Sequence, residues 1–417
     1  MERSYESAIA LVRPAGGPLA AHLSAFVASL IVKQYSINCV YIKGRHALAF
    51  DRWLATHGVT LADLSESDVA RYNRRRSSRC RRSRRVATRR REWCVMMQLL
   101  QFLREQGVCP LARGSSCPAD EVVGGFERYL RHERGLADAT IGRVSTTARQ
   151  LLISRFGKDQ VDLGALRAAD VVAFVQHESK RVQPQVVKNT VTGLRAFLRY
   201  AQYCGAVGAD LVASVPAVAT WVTTPPLPKA ISADHAQRAI ESCDRGTAVG
   251  RRDRAVLLLL ARLGLRTCEI FRLLLDDIDW GQGHVRIRGK GGRQCLLPLP
   301  TDVGEAIAAY LQDGRPASAD RHVFLRSHAP IRGLMEGSDA IGSIVRYALR
   351  RAKVDAPHRG AHQFRHALAV CLLQRGASLS EIGEVLRHRS PQSTAIYATI
   401  DVEALRALAL AWPGGAR

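Results

Sequence analysis

The chain is predicted to be mainly α-helical and multidomain. Two small helical domains stand in tandem, and an α+β domain with a small antiparallel sheet follows them. Three observations predict this. Apolar residues recur at helical spacing through most of the 417 residues, two Pro- and Gly-rich stretches divide the chain in three, and strand-like alternation is confined to one short region. A chain of this length also exceeds one ordinary hydrophobic core.

The first break runs from Gly107-Val108-Cys109-Pro110 to Gly114-Ser115-Ser116-Cys117-Pro118, and the second contains Pro216 and then Thr223-Thr224-Pro225-Pro226-Leu227-Pro228. Pro-rich runs stay extended and act as semi-rigid spacers. The expected domains are therefore 1–112, 118–212 and 229–417, with 213–228 as linker. The first two resemble each other. Val59, Leu61, Leu64, Asp68, Val69 and Tyr72 align with Val161, Leu163, Leu166, Asp170, Val171 and Phe174 at a constant offset of 102 residues. Further on, Leu99-Leu100-Gln101-Phe102-Leu103-Arg104 echoes Leu194-Arg195-Ala196-Phe197-Leu198-Arg199, and Gly107 and Gly205 follow. The pattern reads as a duplicated helical domain.

The third segment changes character. Arg254–Leu263 reads as a buried helix stopped at Gly264, and Thr267–Leu275 as a second helix. His284-Val285-Arg286-Ile287-Arg288 and Gln294-Cys295-Leu296-Leu297-Pro298-Leu299 flank Gly289-Lys290-Gly291-Gly292, a hairpin with a Gly-rich turn. Helices are expected again over Asp302–Gln312, Ile341–Lys353, His362–Gln374 (ended by Gly376) and Ser380–Leu386. Ser390 and Pro391 then supply an N-cap and a Pro at the first helical position. Asp401–Leu410 reads as a terminal amphipathic helix.

The formal net charge is +24, which selects a polyanionic partner. Nucleic acid is favoured over an acidic membrane surface. The most apolar runs, Leu23–Val32 and Ala255–Leu265, fall short of the roughly 18–20 residues that span a bilayer. The acidic first residues do not read as a secretory signal. The ten cysteines show no metal-binding spacing, so neither disulfides nor zinc are expected, and a reducing cytoplasm is. Between residues 71 and 91 lie Arg71, Arg74, Arg75, Arg76, Arg79, Arg81, Arg82, Arg84, Arg85, Arg89, Arg90 and Arg91, uninterrupted by any acid. Arginine forks bind phosphate oxygens and are never neutral, so this run is expected to contact DNA, with strongly salt-dependent binding.

Four patterns follow in order in the third segment: Leu263-Gly264-Leu265-Arg266-Thr267-Cys268-Glu269-Ile270; Gly289-Lys290-Gly291-Gly292-Arg293; His362-Gln363-Phe364-Arg365-His366; and Leu386-Arg387-His388 with Tyr397 after it. Here the chain closely resembles the tyrosine recombinase and phage integrase family. The resemblance covers the third segment almost completely. It likens the second to the family's helical, SAM-like core-binding domain and makes the first an extra copy. It implies an active site of Arg266, Lys290, His362, Arg365, His388 and the nucleophile Tyr397, with Glu269 steadying it from behind.

The residue types suit that chemistry. His362 and Arg365 are three apart and share a helix face. Two guanidinium groups can hold the non-bridging oxygens of a phosphodiester and stabilise its pentacoordinate transition state, so no cofactor or metal is expected. A phenol with a reference pKa of about 10 is a weak nucleophile at neutral pH, which makes His362 and His388 candidates to take its proton or to hydrogen-bond the phosphate. Lys290 is placed by the resemblance to protonate the leaving 5′ oxygen. His366 is expected only to pack. Two departures stand out: Phe364 where Leu is frequent, and Arg387 where Gly is common.

The resemblance implies site-specific recombination of double-stranded DNA through a 3′-phosphotyrosyl link, in integration, excision or transposition of a mobile element. It also implies a homotetramer on DNA, whose terminal helices pack on neighbouring protomers, with accessory proteins from the same element as further partners. The helical domains and the catalytic domain would close around the duplex. A type IB topoisomerase-like enzyme and a catalytically inactive DNA-binding accessory protein remain as alternatives.

Overall fold

The structure is a computed structural model that describes residues 4–13, 15–75, 82–110, 117–157, 159–217, 231–289, 293–334, 339–356 and 360–397, with the backbone alone described at 75 and 82–90. The described chain divides into two compact units, residues 1–28 with 40–222 and residues 29–39 with 223–417. Most of the expected linker, Arg76, Arg81, Lys290 and the expected terminal helix Asp401–Leu410 lie outside the described residues, as do the side chains of Arg75, Arg82, Arg84 and Arg85. Among the described residues no helix is long and apolar enough to cross a membrane.

The first part of the chain is helical: α1 (Tyr5–Val12), α2 (Ala20–Val32), α3 (Ile37–Thr56), α4 (Glu66–Arg75), α5 (Arg82–Glu105), α6 (Pro118–His132), α7 (Asp138–Phe156), α8 (Ala168–Arg181), α9 (Pro184–Tyr203) and α10 (Ala209–Ala213). Amphipathic spacing sets the packing. On α6 the residues Ala119, Val123, Phe126 and Leu130 form one buried stripe, and α9 answers with Val187, Val191, Leu194 and Leu198.

The internal repeat has a structural counterpart. Helices α4 and α8 begin at Glu66 and Ala168, separated by the repeat offset. Each is opened by an aspartate that accepts from the backbone three residues earlier: Ser65 N to Asp68 Oδ2 at 3.0 Å, and Arg167 N to Asp170 Oδ2 at 2.9 Å. Leu64, Val69 and Tyr72 are buried, as are Leu166, Val171 and Phe174. Helices α5 and α9 both end at a glycine of positive φ, Gly107 and Gly205, where the chain must reverse in the left-handed region.

The second unit is built around α12 (Ala248–Arg262), which follows α11 (Ala233–Glu241). Helix α12 is apolar on every side from Ala255 to Leu260, each at most 1% exposed, because α14 (Thr301–Asp313), α15 (Ala340–Arg351) and α16 (His362–Gln374) surround it. The hairpin forms as expected, β2 (His284–Arg288) against β3 (Gln294–Pro298), with His284 opposite Pro298 and Arg288 opposite Gln294. Val285 and Ile287 point into the core while Arg286 faces outward.

Three expectations needed adjustment. The helix expected over Thr267–Leu275 stops early, as α13 (Thr267–Phe271). Beyond it the chain pairs with residues 321–323, through Leu275 N to Arg321 O at 2.9 Å and Val323 N to Leu273 O at 2.9 Å, and these bonds compete with continued helix. A third strand, β1 (Ile278–Asp279), joins the sheet in the order β1-β2-β3, and two residues are too few for periodicity to reveal. After α17 (Leu379–Val385), the short helix α18 (Gln392–Ala395) has Pro391 rather than Ser390 at its N-cap, while the Ser390 side chain bonds Gln392.

Gly264 stops α12 with φ +56°, and a methyl group there would lie 2.8 Å from Leu386 Cδ2 and 3.1 Å from Leu368 Cδ2. The leucine ends can yield, but the left-handed backbone cannot accept a Cβ without strain. Gly264→Ala is expected to lower stability by about 1–2 kcal/mol, read from the midpoint of urea unfolding. It is also expected to slow any reaction that depends on the Gly264 carbonyl, which two arginines share.

Candidate active site

The site begins at the turn between α12 and α13. Glu269 lies in the first turn of α13, and its carboxylate caps that helix by accepting from Arg266 N at 2.9 Å. Burial and this cap aim the carboxylate back at the Arg266 side chain. Arg266 Nη1 donates to Glu269 Oε1 at 2.9 Å, and Nη2 donates to the carbonyl of Arg387 at 3.1 Å. Glu269 is 2% exposed, so this is a buried carboxylate held by a backbone N–H and a guanidinium.

Arg365 arrives from α16. Its guanidinium is buried, and its two ends donate to the carbonyls of Gly264 and Leu386. Arg266 and Arg365 therefore grip adjacent carbonyls, those of Arg387 and Leu386, and the two guanidinium groups share one neighbourhood. Burial lowers the Arg365 pKa to about 10, with Arg266 and Arg387 adding repulsion, and it stays charged at neutral pH.

The two histidines of the motif are held in the neutral form. Burial depresses the His362 pKa, and Arg365 and Arg266 push the same way. His388 Nδ1 pairs with Thr394 Oγ1 of α18 at 2.7 Å. Burial brings its pKa down to about 4, with Arg365 and Arg266 contributing next. A depressed folded-state pKa means the unfolded chain takes up the proton first, so stability present above about pH 6.5 is lost as pH falls toward 4. His388→Gln is expected to flatten this loss. Between pH 7 and pH 5 its melting temperature should fall by about 2–4 °C less than that of the unsubstituted protein.

Tyr397 follows α18 and packs against Ala369, Ile382 and Leu386. Burial raises its pKa, and the charge of Arg365 opposes the rise. The phenol oxygen is 2.8 Å from His366 Nδ1, with the two rings edge to face at 5.6 Å between centroids. This corrects the expectation for His366: it does not merely pack, and it, rather than His362 or His388, touches the phenol. The signal was present in the sequence, since His362 and His366 lie four apart on α16, and their rings are 6.3 Å apart. Two further contacts could not be read from sequence. Thr394 orients His388, and the Arg387 side chain reaches Glu269 Oε2 at 3.1 Å.

Five of the six expected site residues, Arg266, His362, Arg365, His388 and Tyr397, thus stand in one cluster backed by Glu269. Lys290 lies outside the described residues. The hairpin that carries it closes through Gly289 N to Arg293 O at 2.7 Å, and a Cβ at Gly289 would lie 4.0 Å from Glu269 Oε1, which brings the hairpin end beside the cluster. Within the arginine run expected to contact DNA, Arg71, Arg74 and Arg91 have described side chains; all three are exposed, and Arg74 Nε donates to Ala70 O at 3.4 Å. Arg71 is engaged within its own unit: it pairs with Asp68 at 3.3 Å and lies over the Trp53 ring at 5.2 Å.

The chain is similar to known proteins. Residues 229–403 match the phage integrase family. "Putative integrase/recombinase y4rA" of Sinorhizobium fredii is 44% identical over 411 residues, which span 98% of this chain and 98% of that one. Tyrosine recombinase XerD of Listeria monocytogenes is 27% identical over 287 residues, 67% of this chain and 93% of its own. Among solved structures, the XerH site-specific recombinase bound to palindromic difH substrate superposes with a TM-score of 0.53 at 16% identity, covering 71% of this chain and 97% of that one. With a relative this similar over nearly its whole length, and with two arginines gathered beside a phenol, the chain belongs to the phage integrase family of tyrosine recombinases.

Proposed function

We propose that the protein is a site-specific DNA recombinase or integrase that cuts and rejoins strands through Tyr397, serving integration, excision or transposition of a mobile element. The observation that carries this reading is the convergence of Arg266 and Arg365 on adjacent carbonyls beside Tyr397. Two guanidinium groups fixed by hydrogen bonds match the non-bridging oxygens of a phosphodiester, and their interaction strengthens as charge develops in the transition state.

In the proposed reaction the Tyr397 oxygen attacks the scissile phosphorus and gives up its proton, with His366 Nδ1 the nearest base. The bond to the 5′ oxygen breaks, and Lys290 protonates that oxygen, leaving a 3′-phosphotyrosyl link and a free 5′-hydroxyl. A 5′-hydroxyl from a partner strand then attacks the link and restores Tyr397. One ester replaces another, so the exchange needs no nucleotide cofactor. His362 and His388, held neutral, are suited to hydrogen-bond the phosphate without adding charge.

The surplus of basic residues and the arginines of α4 and α5, including Arg74, Arg75, Arg82, Arg84 and Arg85, suit duplex binding by the helical part of the chain. Arg76 and Arg81 belong to the same run. Residues 1–112 and 118–212 would then be tandem DNA-binding domains ahead of a catalytic domain at 229–417. Strand exchange between two duplexes calls for four protomers on DNA. The protein would act in the cytoplasm, on the DNA of its own cell, with accessory proteins of the same element as further partners.

The test is a duplex with a nick placed just 3′ of the scissile phosphate, so that the cut strand diffuses away and the covalent complex is trapped. The expected result is a protein–DNA adduct that survives denaturation and maps by mass spectrometry to the peptide containing Tyr397. Failure to trap any adduct on DNA from the element's own ends, under conditions where the protein binds that DNA, would falsify the reading.

A further inference from the structure

Arg387 sits just after α17 with φ +55°, the left-handed backbone that glycine adopts freely and other residues adopt at a cost. A side chain retained there has contacts to offset that cost. Arg387 Nη2 donates to Glu269 Oε2 at 3.1 Å, and Nη1 donates to the carbonyls of Leu263 and Val385, each at 3.2 Å. Its own carbonyl receives Arg266 Nη2. Its side chain is 16% exposed, and its Nε is buried without a hydrogen-bond partner among the described residues.

The result is a carboxylate divided between two cations. Glu269 Oε1 faces Arg266, Oε2 faces Arg387, and the buried Arg365 beside them bonds only carbonyls. Arg266, Arg365, Arg387 and Glu269 together carry three positive charges and one negative, a surplus of two. With glycine at 387 the surplus would be one. A phosphodiester carries a single negative charge and its pentacoordinate transition state carries two, so the added guanidinium favours the transition state over bound substrate.

We propose that Arg387 is a positioning residue of the cleavage site: by sharing Glu269 with Arg266 it fixes the Arg266 fork, and it adds a positive charge beside the place where the transition state develops negative charge. The inference rests on the strand-cleavage reading above and extends it to a side chain that stands where glycine would fit the backbone better.

The experiment compares the full chain with Arg387→Gly and Arg387→Lys on the nicked trapping substrate, measuring adduct formation in single turnover, DNA affinity and melting temperature. Glycine suits φ +55°, so Arg387→Gly tests the side chain without adding backbone strain. The expected result for Arg387→Gly is adduct formation slowed about 10- to 100-fold, with DNA affinity changed less than about 3-fold. Arg387→Lys, which keeps the charge and loses the fork, is expected to recover about 5-fold or more of that loss. Arg387→Gly cleaving at the unsubstituted rate would overturn the inference and leave the strand-cleavage reading intact. Equal impairment of both variants, with melting temperatures lowered together, would also overturn it, since that is the mark of a purely structural contact. An unsubstituted protein that forms no adduct would overturn the cleavage reading and this inference with it.

Discussion

Tyr397→Phe is expected to bind DNA as the unsubstituted protein does and to form no covalent adduct at all, a loss limited only by the detection floor of the trapping assay. The substitution removes one oxygen. Nothing else in the described cluster offers an equivalent nucleophile at that place, because the nearest groups are the ring of His366 and the guanidinium of Arg365. The structural cost is small. The phenol loses its hydrogen bond to His366, worth about 1 kcal/mol, while the ring still fills its pocket against Ile382 and Leu386. Loss of adduct with a melting temperature lowered by no more than about 2–4 °C and intact DNA affinity therefore isolates chemistry from folding. An adduct of normal yield in this variant would remove Tyr397 from the reaction.

Arg365→Lys is expected to produce the second-largest loss, adduct formation slower by about 10²- to 10³-fold. Lysine keeps the charge but replaces a planar fork by a point donor. The Arg365 fork is anchored at both ends, on the carbonyls of Gly264 and Leu386, and those anchors orient it among Arg266 and Tyr397. A lysine ammonium can satisfy one of these carbonyls well, leaving the other buried and under-bonded at a cost of about 1–3 kcal/mol. Stability should fall by that order in urea unfolding, while the protein stays folded at neutral pH. Arg365→Ala would be a poorer experiment, since it empties a buried space and strands both carbonyls, and unfolding would confuse the reading. A lysine variant with a normal cleavage rate would show that the planar fork of Arg365 is not needed.

Much of the site was legible before any coordinates. The order of arginine, lysine, histidine–arginine, histidine and tyrosine motifs names the chemistry. The Gly264 stop, the His362/Arg365 spacing and the Gly-rich hairpin each follow from local rules of backbone and helix geometry. The repeat between the first two segments was equally visible, because capping aspartates and buried apolar residues recur at a fixed interval. What local rules missed were contacts between elements distant in sequence. The end of α13 came out differently because Leu273 and Leu275 found backbone partners near residue 322, a choice made by tertiary pairing against helical propensity. His366 was assigned to packing because a helix face says which way a side chain points and not what waits there.

The sequence by itself determined the family, the residue types of the candidate site and the helical character of the chain, since these depend on composition and on spacing within single elements. Only the tertiary structure decided which groups touch: that His366 meets the phenol, that Thr394 turns His388, and that Arg387 and Arg266 divide one buried carboxylate. The physical reason lies in desolvation. A carboxylate or guanidinium in water has no preferred partner. Once buried it must find one, and the available partners are set by how the helices and the hairpin pack around it.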